Sequence, residues 1–269
     1  MFKTSVTISP LLARFAPLVF AGGWQEGIQT AKRLGYDAVE LSLRDPQSPI
    51  LSEVLAALER EGMPVSAIAT GQSYLQDGLS LVNPDGSAQA ELRRRVQRFI
   101  ELAGTWGALV ILGGVRGRFQ GESETWAEQR ARAVAMVREF AASAARLGVR
   151  LAIEPLNRYE TNFLNSLQDG DVFCRETGAE NVVLLADTFH MNIEEASLEA
   201  SLEAFAPRLG YVHLVDSNRR APGLGHLDLC SVLDTLRRAG YAGYLSAEVL
   251  PWPDPATAAR LAIQYYTTH

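Results

Sequence analysis

Arg150-Leu-Ala-Ile-Glu-Pro155, followed by Leu156-Asn-Arg-Tyr-Glu160, decides how this chain reads. A short apolar run with β character ends on the carboxylate of Glu154, and the loop beyond it carries a second, Glu160. Three later runs end the same way. Asp187 closes Val182-Val-Leu-Leu-Ala-Asp187, His213 lies within Tyr211-Val-His-Leu-Val215, and Glu248 lies within Tyr244-Leu-Ser-Ala-Glu-Val-Leu250. Near-continuous apolar runs of this length are the mark of parallel strands covered on both faces. Four such strands with a polar residue at each exit place three carboxylates and one imidazole on one rim, which is the composition of a divalent-metal site.

Outward from these four, β-rich runs alternate with helical patterns along the whole chain. Strands are expected near residues 3–9, 38–43, 65–70, 108–113, 150–155, 182–187, 211–216 and 244–250. Helices are expected near 24–34, 50–62, 88–105, 123–147, 166–177, 195–206 and 228–239, with a last one from about 255. Glycines mark the helix-to-strand junctions at Gly35, Gly62, Gly107, Gly148, Gly178, Gly210 and Gly240, where left-handed C-caps belong. Eight βα units in 269 residues predict an α/β fold with one (β/α)8 TIM barrel spanning residues 1–269. The glycine-dense segment Gly113–Glu124 reads as a mobile loop, a candidate lid.

Composition excludes several classes of function. A formal net charge of −6 with no long Lys/Arg run argues against a nucleic-acid partner. Two cysteines, Cys174 and Cys230, make neither a disulfide framework nor a ligand pair, and both are expected to be buried. The apolar stretch Phe15–Gly23 is about half of what a bilayer needs, and no signal peptide precedes it, so a soluble, cytoplasmic protein without a membrane partner is expected.

Alternation along each strand puts Glu154 on a face with Ala152, Asp187 with Leu185 and Val183, His213 with Tyr211 and Val215, and Glu248 with Ser246 and Tyr244. All four then point inward. The set suits one hard or borderline divalent ion, Mn2+ first, with Co2+ and Mg2+ as alternatives. Each residue alone has a duller explanation: a carboxylate paired with an arginine, a helix cap at Asp187, a satisfied core histidine at His213. Four such coincidences at successive strand exits are harder to accept. Arg44, Arg116 and Arg118 follow the second and fourth strands and are candidate substrate-binding residues for a carboxylate, or else rim charges. Glu40 is a buried structural carboxylate or a polar floor, Asp228 an N-cap, and Trp252 a candidate rim contact.

The runs Glu154–Thr161, Asp187-Thr-Phe-His-Met-Asn-Ile-Glu-Glu195, His213-Leu-Val-Asp-Ser-Asn-Arg219, Pro222-Gly-Leu-Gly-His226 and Ser246-Ala-Glu248 resemble the ketose 3-epimerases, which include D-tagatose and D-psicose 3-epimerases. The resemblance implies a xylose isomerase-like TIM barrel. It also implies that Glu154, Asp187, His213 and Glu248 bind one divalent metal, that Glu154 and Glu248 are the catalytic pair moving protons, and that Glu160, His190 and Arg219 hold substrate oxygens. The implied reaction inverts C3 of a ketose or keto-sugar acid through a cis-enediolate, by a homodimer or homotetramer. The first half, with Ala69–Ser80 and Arg116-Gly-Arg118, is more similar to a branch linked to 5-keto-L-gluconate epimerase, which would convert that acid to D-tagaturonate. Alternatives on the same barrel are an aldose-ketose isomerase (of hydroxypyruvate or a sugar) and a dehydratase. An apurinic-site endonuclease would need more histidines than His190, His213, His226 and His269. A catalytically silent sugar-binding protein would be expected to lack one of the two glutamates.

Overall fold

The computed structural model describes residues 2–12, 16–121 and 124–269. Eight parallel strands form a closed ring: β1 (Lys3–Ser9), β3 (Ala38–Ser42), β4 (Val65–Ala69), β5 (Leu109–Leu112), β6 (Leu151–Ile153), β7 (Val182–Asp187), β8 (Leu209–His213) and β9 (Tyr244–Ala247). The ring shuts where Lys3 to Val6 pair with Tyr244 to Ala247. A two-residue strand, β2 (Phe20–Ala21), adds to the exit of β1 at Ile8 and Ser9. The eight-stranded barrel of the sequence reading is therefore what forms, and β2 is an extra that only two residues long gave no period to detect.

The helices on the outside are α1 (Trp24–Leu34), α2 (Ile50–Glu61), α3 (Gly71–Asp77), α4 (Gly86–Trp106), α5 (Trp126–Ala145), α6 (Leu167–Thr177), α7 (Thr188–Glu194), α8 (Leu198–Phe205), α9 (Leu229–Arg238) and α10 (Pro255–Thr268). Their apolar faces and the outward strand faces make one large core. Inside the ring a second cluster packs Ala67, Ala69, Leu109, Ile111, Ala152, Val183, Leu185 and Tyr211. Ala152, Val183, Leu185 and Tyr211 are inward-facing neighbours in the alternation argument, so the strand faces are oriented as that argument requires.

Four local expectations are corrected. The helix expected at 195–206 forms, shorter, as α8, and an unexpected α7 precedes it, because the Asp187 side chain accepts from the backbone N–H of Phe189 and His190 and starts a helix directly at the strand exit. Ser197 then caps α8 by accepting from Ala200 N–H. Gly210 is no cap: it lies in β8, where an added Cβ would fall 2.4 Å from Val183 Cγ2. Its bareness lets β8 sit close against β7 next to the register slip between Leu184 and Leu185. Cys230 is exposed, unlike buried Cys174.

The fourth correction concerns the candidate lid, of which residues 122–123 lie outside the described residues. Its described part is stitched down. Gly114–Arg116 form a 3-10 turn, Gly117 C=O accepts from Thr161 Oγ1 at 2.8 Å, and Phe119 N–H donates to Asn162 Oδ1 at 2.8 Å. Among the described residues no helix is long and apolar enough to cross a membrane.

Candidate metal centre

The exits of β6, β7, β8 and β9 bring Glu154, Asp187, His213 and Glu248 together, with one ligand atom of each lying within 4.8 Å of the others. His213 Nδ1 is at the centre: Glu154 Oε1 lies 3.4 Å away, Asp187 Oδ2 3.6 Å and Glu248 Oε2 3.6 Å. The opposite edge of the ring is committed elsewhere, since His213 Nε2 meets the Glu40 carboxylate at 3.1 Å. Glu40 is itself fully buried and accepts from Ser246 Oγ at 2.7 Å. A carboxylate on one imidazole nitrogen leaves the other as a lone-pair donor facing the cluster, which is how proteins orient a metal-ligating histidine.

Asp187 divides its carboxylate between two duties. Oδ1 accepts from Phe189 N–H at 2.8 Å and His190 N–H at 3.4 Å, so the expected cap exists. Oδ2 points into the cluster and has no hydrogen-bond partner there, and neither does His213 Nδ1, although both are buried. Orphaned buried polar atoms are rare and costly. Two of them facing each other among carboxylates fit a cation, and three carboxylates with one imidazole fit a hard or borderline one.

Electrostatics carry the same message. Burial opposes charge on His213, yet Glu40 and Glu248 hold its ring well above the ordinary imidazole value. Burial pushes the Glu248 carboxyl up to about 8, with His213 opposing the rise and Glu154 adding to it. Burial would raise Asp187 too, but His190, His213 and Arg219 hold it below the usual carboxylate range. Burial and crowded negative charge thus disfavour the ionised Glu248 carboxylate, an environment that a cation would relieve.

Beside the four lie the residues expected to hold substrate. Arg219 donates to Glu160 Oε1 at 3.2 Å and to Glu248 Oε2 at 3.3 Å, and its guanidinium stacks 4.7 Å over the Phe189 ring. Its backbone is left-handed at φ 59°, uncommon for a residue with a side chain. The β8 exit is built to hold that shape: Arg219 N–H donates to Asp216 C=O, Leu250 N–H donates to Arg219 C=O at 2.7 Å, and the Asp216 carboxylate gathers the N–H groups of Ser217, Gly223 and Leu227. His190 is buried and neutral, pushed down to about 3 by burial and in the same direction by Arg219, against the pull of Asp187. Its Nδ1 accepts from Asn157 N–H at 3.2 Å, and its Nε2 faces the site, 3.2 Å from Arg219 Nη2.

The three other arginines do not reach this place: none of them lines the cavity of about 270 Å³ that contains Glu154, His213 and Glu248. Arg44 is held outside it by Asp77, its Nε donating to Oδ2 at 2.9 Å, and Asp77 also takes Arg95 at 2.6 Å. Arg118 is exposed over a separate groove with Ser80, Asn83 and Gln120. Arg116 is completely buried and donates to the backbone carbonyls of Phe163 and Leu164, where burial pushes its guanidinium down to about 10. Asp77 captures Arg44, and two backbone carbonyls take Arg116 Nη1, whose neighbours Nε and Nη2 are left buried without a partner. Trp252 is half exposed, with Arg220 stacked 4.1 Å over its ring.

The sequence reading missed three contributors. Asn157, inside the deciding stretch, holds the His190 ring in place by donating to Nδ1. Gly113 makes room for a catalytic candidate, since a Cβ there would fall 2.0 Å from Glu154 Oε2. The α3 helix after β4 supplies Gln72, Tyr74 and Leu75 to the cavity wall. The glycines in its sequence hid it, although Gly113 itself stood in the quoted glycine-dense segment.

Residues 28–268 match the family model described as xylose isomerase-like TIM barrel. The chain is 31% identical over 236 residues to L-ribulose 3-epimerase of Methylomonas sp. (strain DH-1), covering 86% of this chain and 82% of that protein. It is 29% identical over 252 residues to 3-dehydro-D-guloside 4-epimerase of Escherichia coli (strain K12), covering 90% and 94%. A solved structure of L-ribulose 3-epimerase superposes with a TM-score of 0.80 at 27% identity, over 99% of this chain and 94% of that one. By sequence and by fold, the chain belongs to the xylose isomerase-like TIM barrel family, in its group of sugar epimerases.

Proposed function

We propose that this protein is a divalent-metal-dependent epimerase that inverts C3 of a neutral ketose. The observation that carries the reading is the placement of two carboxylates, Glu154 and Glu248, on different strands with His213 Nδ1 between them at 3.4 and 3.6 Å. Inverting a carbon beside a ketone requires a proton to leave one face and return to the other, and two separated carboxylates supply a base and an acid. In one direction Glu154 takes the proton and Glu248 gives one; in the other the roles exchange. Arg219 and His190, whose Nε2 faces the site, would orient the oxygens next to the reacting carbon, and Glu160 would accept from a hydroxyl. Glu154, Asp187, His213 and Glu248 would hold the ion, Mn2+ first and Co2+ or Mg2+ as alternatives. When bound, the ion supplies Lewis acidity to the substrate oxygens, typically several kcal/mol in the transition state.

The names of the relatives support the reaction class. L-ribulose 3-epimerase inverts the carbon next to a ketose carbonyl, and 3-dehydro-D-guloside 4-epimerase names a carbon next to the oxidised one. The neutral substrate is supported by the wall composition: among the described residues, every acidic or basic side chain lining the cavity comes from the exits of β6, β8 and β9, and Arg219 is the one guanidinium. That replaces the keto-acid reading, which needed Arg44, Arg116 or Arg118 at the mouth. Incubating metal-loaded protein in deuterated solvent with L-ribulose, D-psicose, D-tagatose and 5-keto-L-gluconate, and following exchange by NMR, tests it. Deuterium should enter C3 of a neutral ketose faster than the matching carbon of the acid. Exchange confined to the acid overturns the substrate class, and aldose formation overturns the reaction.

A further inference from the structure

We infer that Gln72 is a specificity-determining residue that reads a hydroxyl of the sugar beyond the inverted carbon; this rests on the ketose reading above. In the closed ring β4 stands opposite β8, the strand that carries His213, so α3, which begins right after β4, faces the ligand cluster across the mouth. A ketose held at its carbonyl end by the cluster directs its remaining carbons towards that wall.

The wall is made of Leu18, Ser42, Gln72, Tyr74 and Leu75. Gln72 differs from its neighbours. It is 3% exposed, it lines the cavity, and its Oε1 is buried without a hydrogen-bond partner among the described residues. An amide with an unmet acceptor on a cavity wall is costly to the empty protein and is relieved by a ligand hydroxyl that donates to it.

Its position is fixed by the backbone. Thr70 N–H and Thr70 Oγ1 both donate to Ile111 C=O, at 3.3 and 2.8 Å, tying the β4 exit to β5. Gly114 lies so close that a Cβ there would be 3.3 Å from Gly71 Cα. Within α3, Ser73 Oγ donates to Arg44 C=O, and at its far end Asp77 is clamped by Arg44 and Arg95. A side chain on so constrained a helix discriminates by what it can pair with. Leu18 and Leu75 on either side offer a hydroxyl nothing, so a sugar lacking the hydroxyl in question leaves the amide unmet.

The test compares wild type with Gln72→Met, which keeps the volume and removes the amide, and Gln72→Asn, which keeps the amide but withdraws it. Metal-loaded proteins are given D-psicose, 5-deoxy-D-psicose and 6-deoxy-D-psicose, with kcat and KM measured by turnover and Kd by calorimetry. We expect Gln72→Met to raise KM and Kd for D-psicose about tenfold with kcat within about twofold, and to leave one deoxy analogue unaffected relative to wild type. Equal loss on all three sugars, loss in kcat alone, or no loss overturns the assignment. If Gln72→Met does not fold by circular dichroism, the same comparison with Gln72→Asn decides. Wild-type binding without turnover sinks the epimerase reading while the Kd series still judges Gln72; neither binding nor turnover of any neutral ketose sinks both.

Discussion

The two halves of the barrel mouth differ in where their charged side chains are aimed. On the β6–β9 side Asp187 Oδ2 and His213 Nδ1 are buried and unpartnered, facing one another. On the β3–β5 side Arg44 is held by the Asp77 carboxylate and Arg116 Nη1 by two backbone carbonyls, while Arg116 Nε and Nη2 are buried without a partner and away from the cavity. The difference teaches where chemistry sits. A strand fixes the direction of its exit residue, so a polar group there points at the mouth whether or not a partner waits. A loop arginine has a long stem and turns to the first acceptor it finds. Polar atoms that rigid backbone denies a protein partner are the ones available to a ligand.

The strongest way to break this contrast is to remove the proton-carrying groups. Glu154→Gln and Glu248→Gln should each cut C3 deuterium exchange by about 10²-fold or more, in keeping with general acid–base contributions, while circular dichroism stays as in wild type. Retention of more than about a tenth of the rate by either variant would contradict a two-carboxylate mechanism. Next comes Gly113→Ala. The added methyl would lie 2.0 Å from Glu154 Oε2, so the carboxylate must move. A shift of about 1 Å at a reacting group costs on the order of 10²-fold, and kcat should fall with little change in melting temperature.

Glu40→Gln probes the silent partner of the ligand set. The amide keeps the shape but weakens the hold on His213 Nε2, and metal affinity measured by calorimetric titration should drop about 10- to 100-fold. Unchanged affinity would show that strand geometry alone aims the ring. The smallest effect is expected on the other side. Arg44→Met should leave kcat/KM within about twofold and lower the melting temperature only slightly, because the pair with Asp77 is partly exposed. That cost has a pH signature. The hydrogen bond from Arg44, with Arg95 assisting, holds Asp77 at about 2, below its unfolded value of roughly 3.9. A depressed carboxylate stabilises the fold above the unfolded value and loses that contribution as pH falls through the folded one. The Tm gap between wild type and Arg44→Met should therefore be full above about pH 4 and close towards about pH 2. A large activity loss in Arg44→Met would return this residue to the substrate site.

How far the chain could be read in advance follows the same division. Strands near 3–9, 38–43, 65–70 and 182–187 were legible because apolar runs and glycine caps repeat, and backbone periodicity does not depend on tertiary partners. The convergence of Glu154, Asp187, His213 and Glu248 was legible because alternation fixes facing. Arg44 and Arg116 were misplaced because Asp77 and the carbonyls of Phe163 and Leu164 approach them only in three dimensions, and Arg118 because its loop carries it over a separate groove. Helix α3 escaped notice for a related reason: seven residues starting at a glycine hold no apolar period, and the helix is stabilised by Arg44 C=O from the loop after β3 and Ile111 C=O from β5.

Arg219 carries the guanidinium of the site on a left-handed backbone that a glycine would adopt at no steric penalty. Fitness at this position is therefore pulled two ways. A mutational scan selected only for thermal resistance should drift towards Gly or Asn at residue 219, shedding backbone strain of order 1 kcal/mol along with the side chain that orients substrate. A scan selected for turnover should hold arginine against that drift. Position 219 would then separate the two kinds of selection, and lineages that have abandoned catalysis could be told from those that keep it by a single codon.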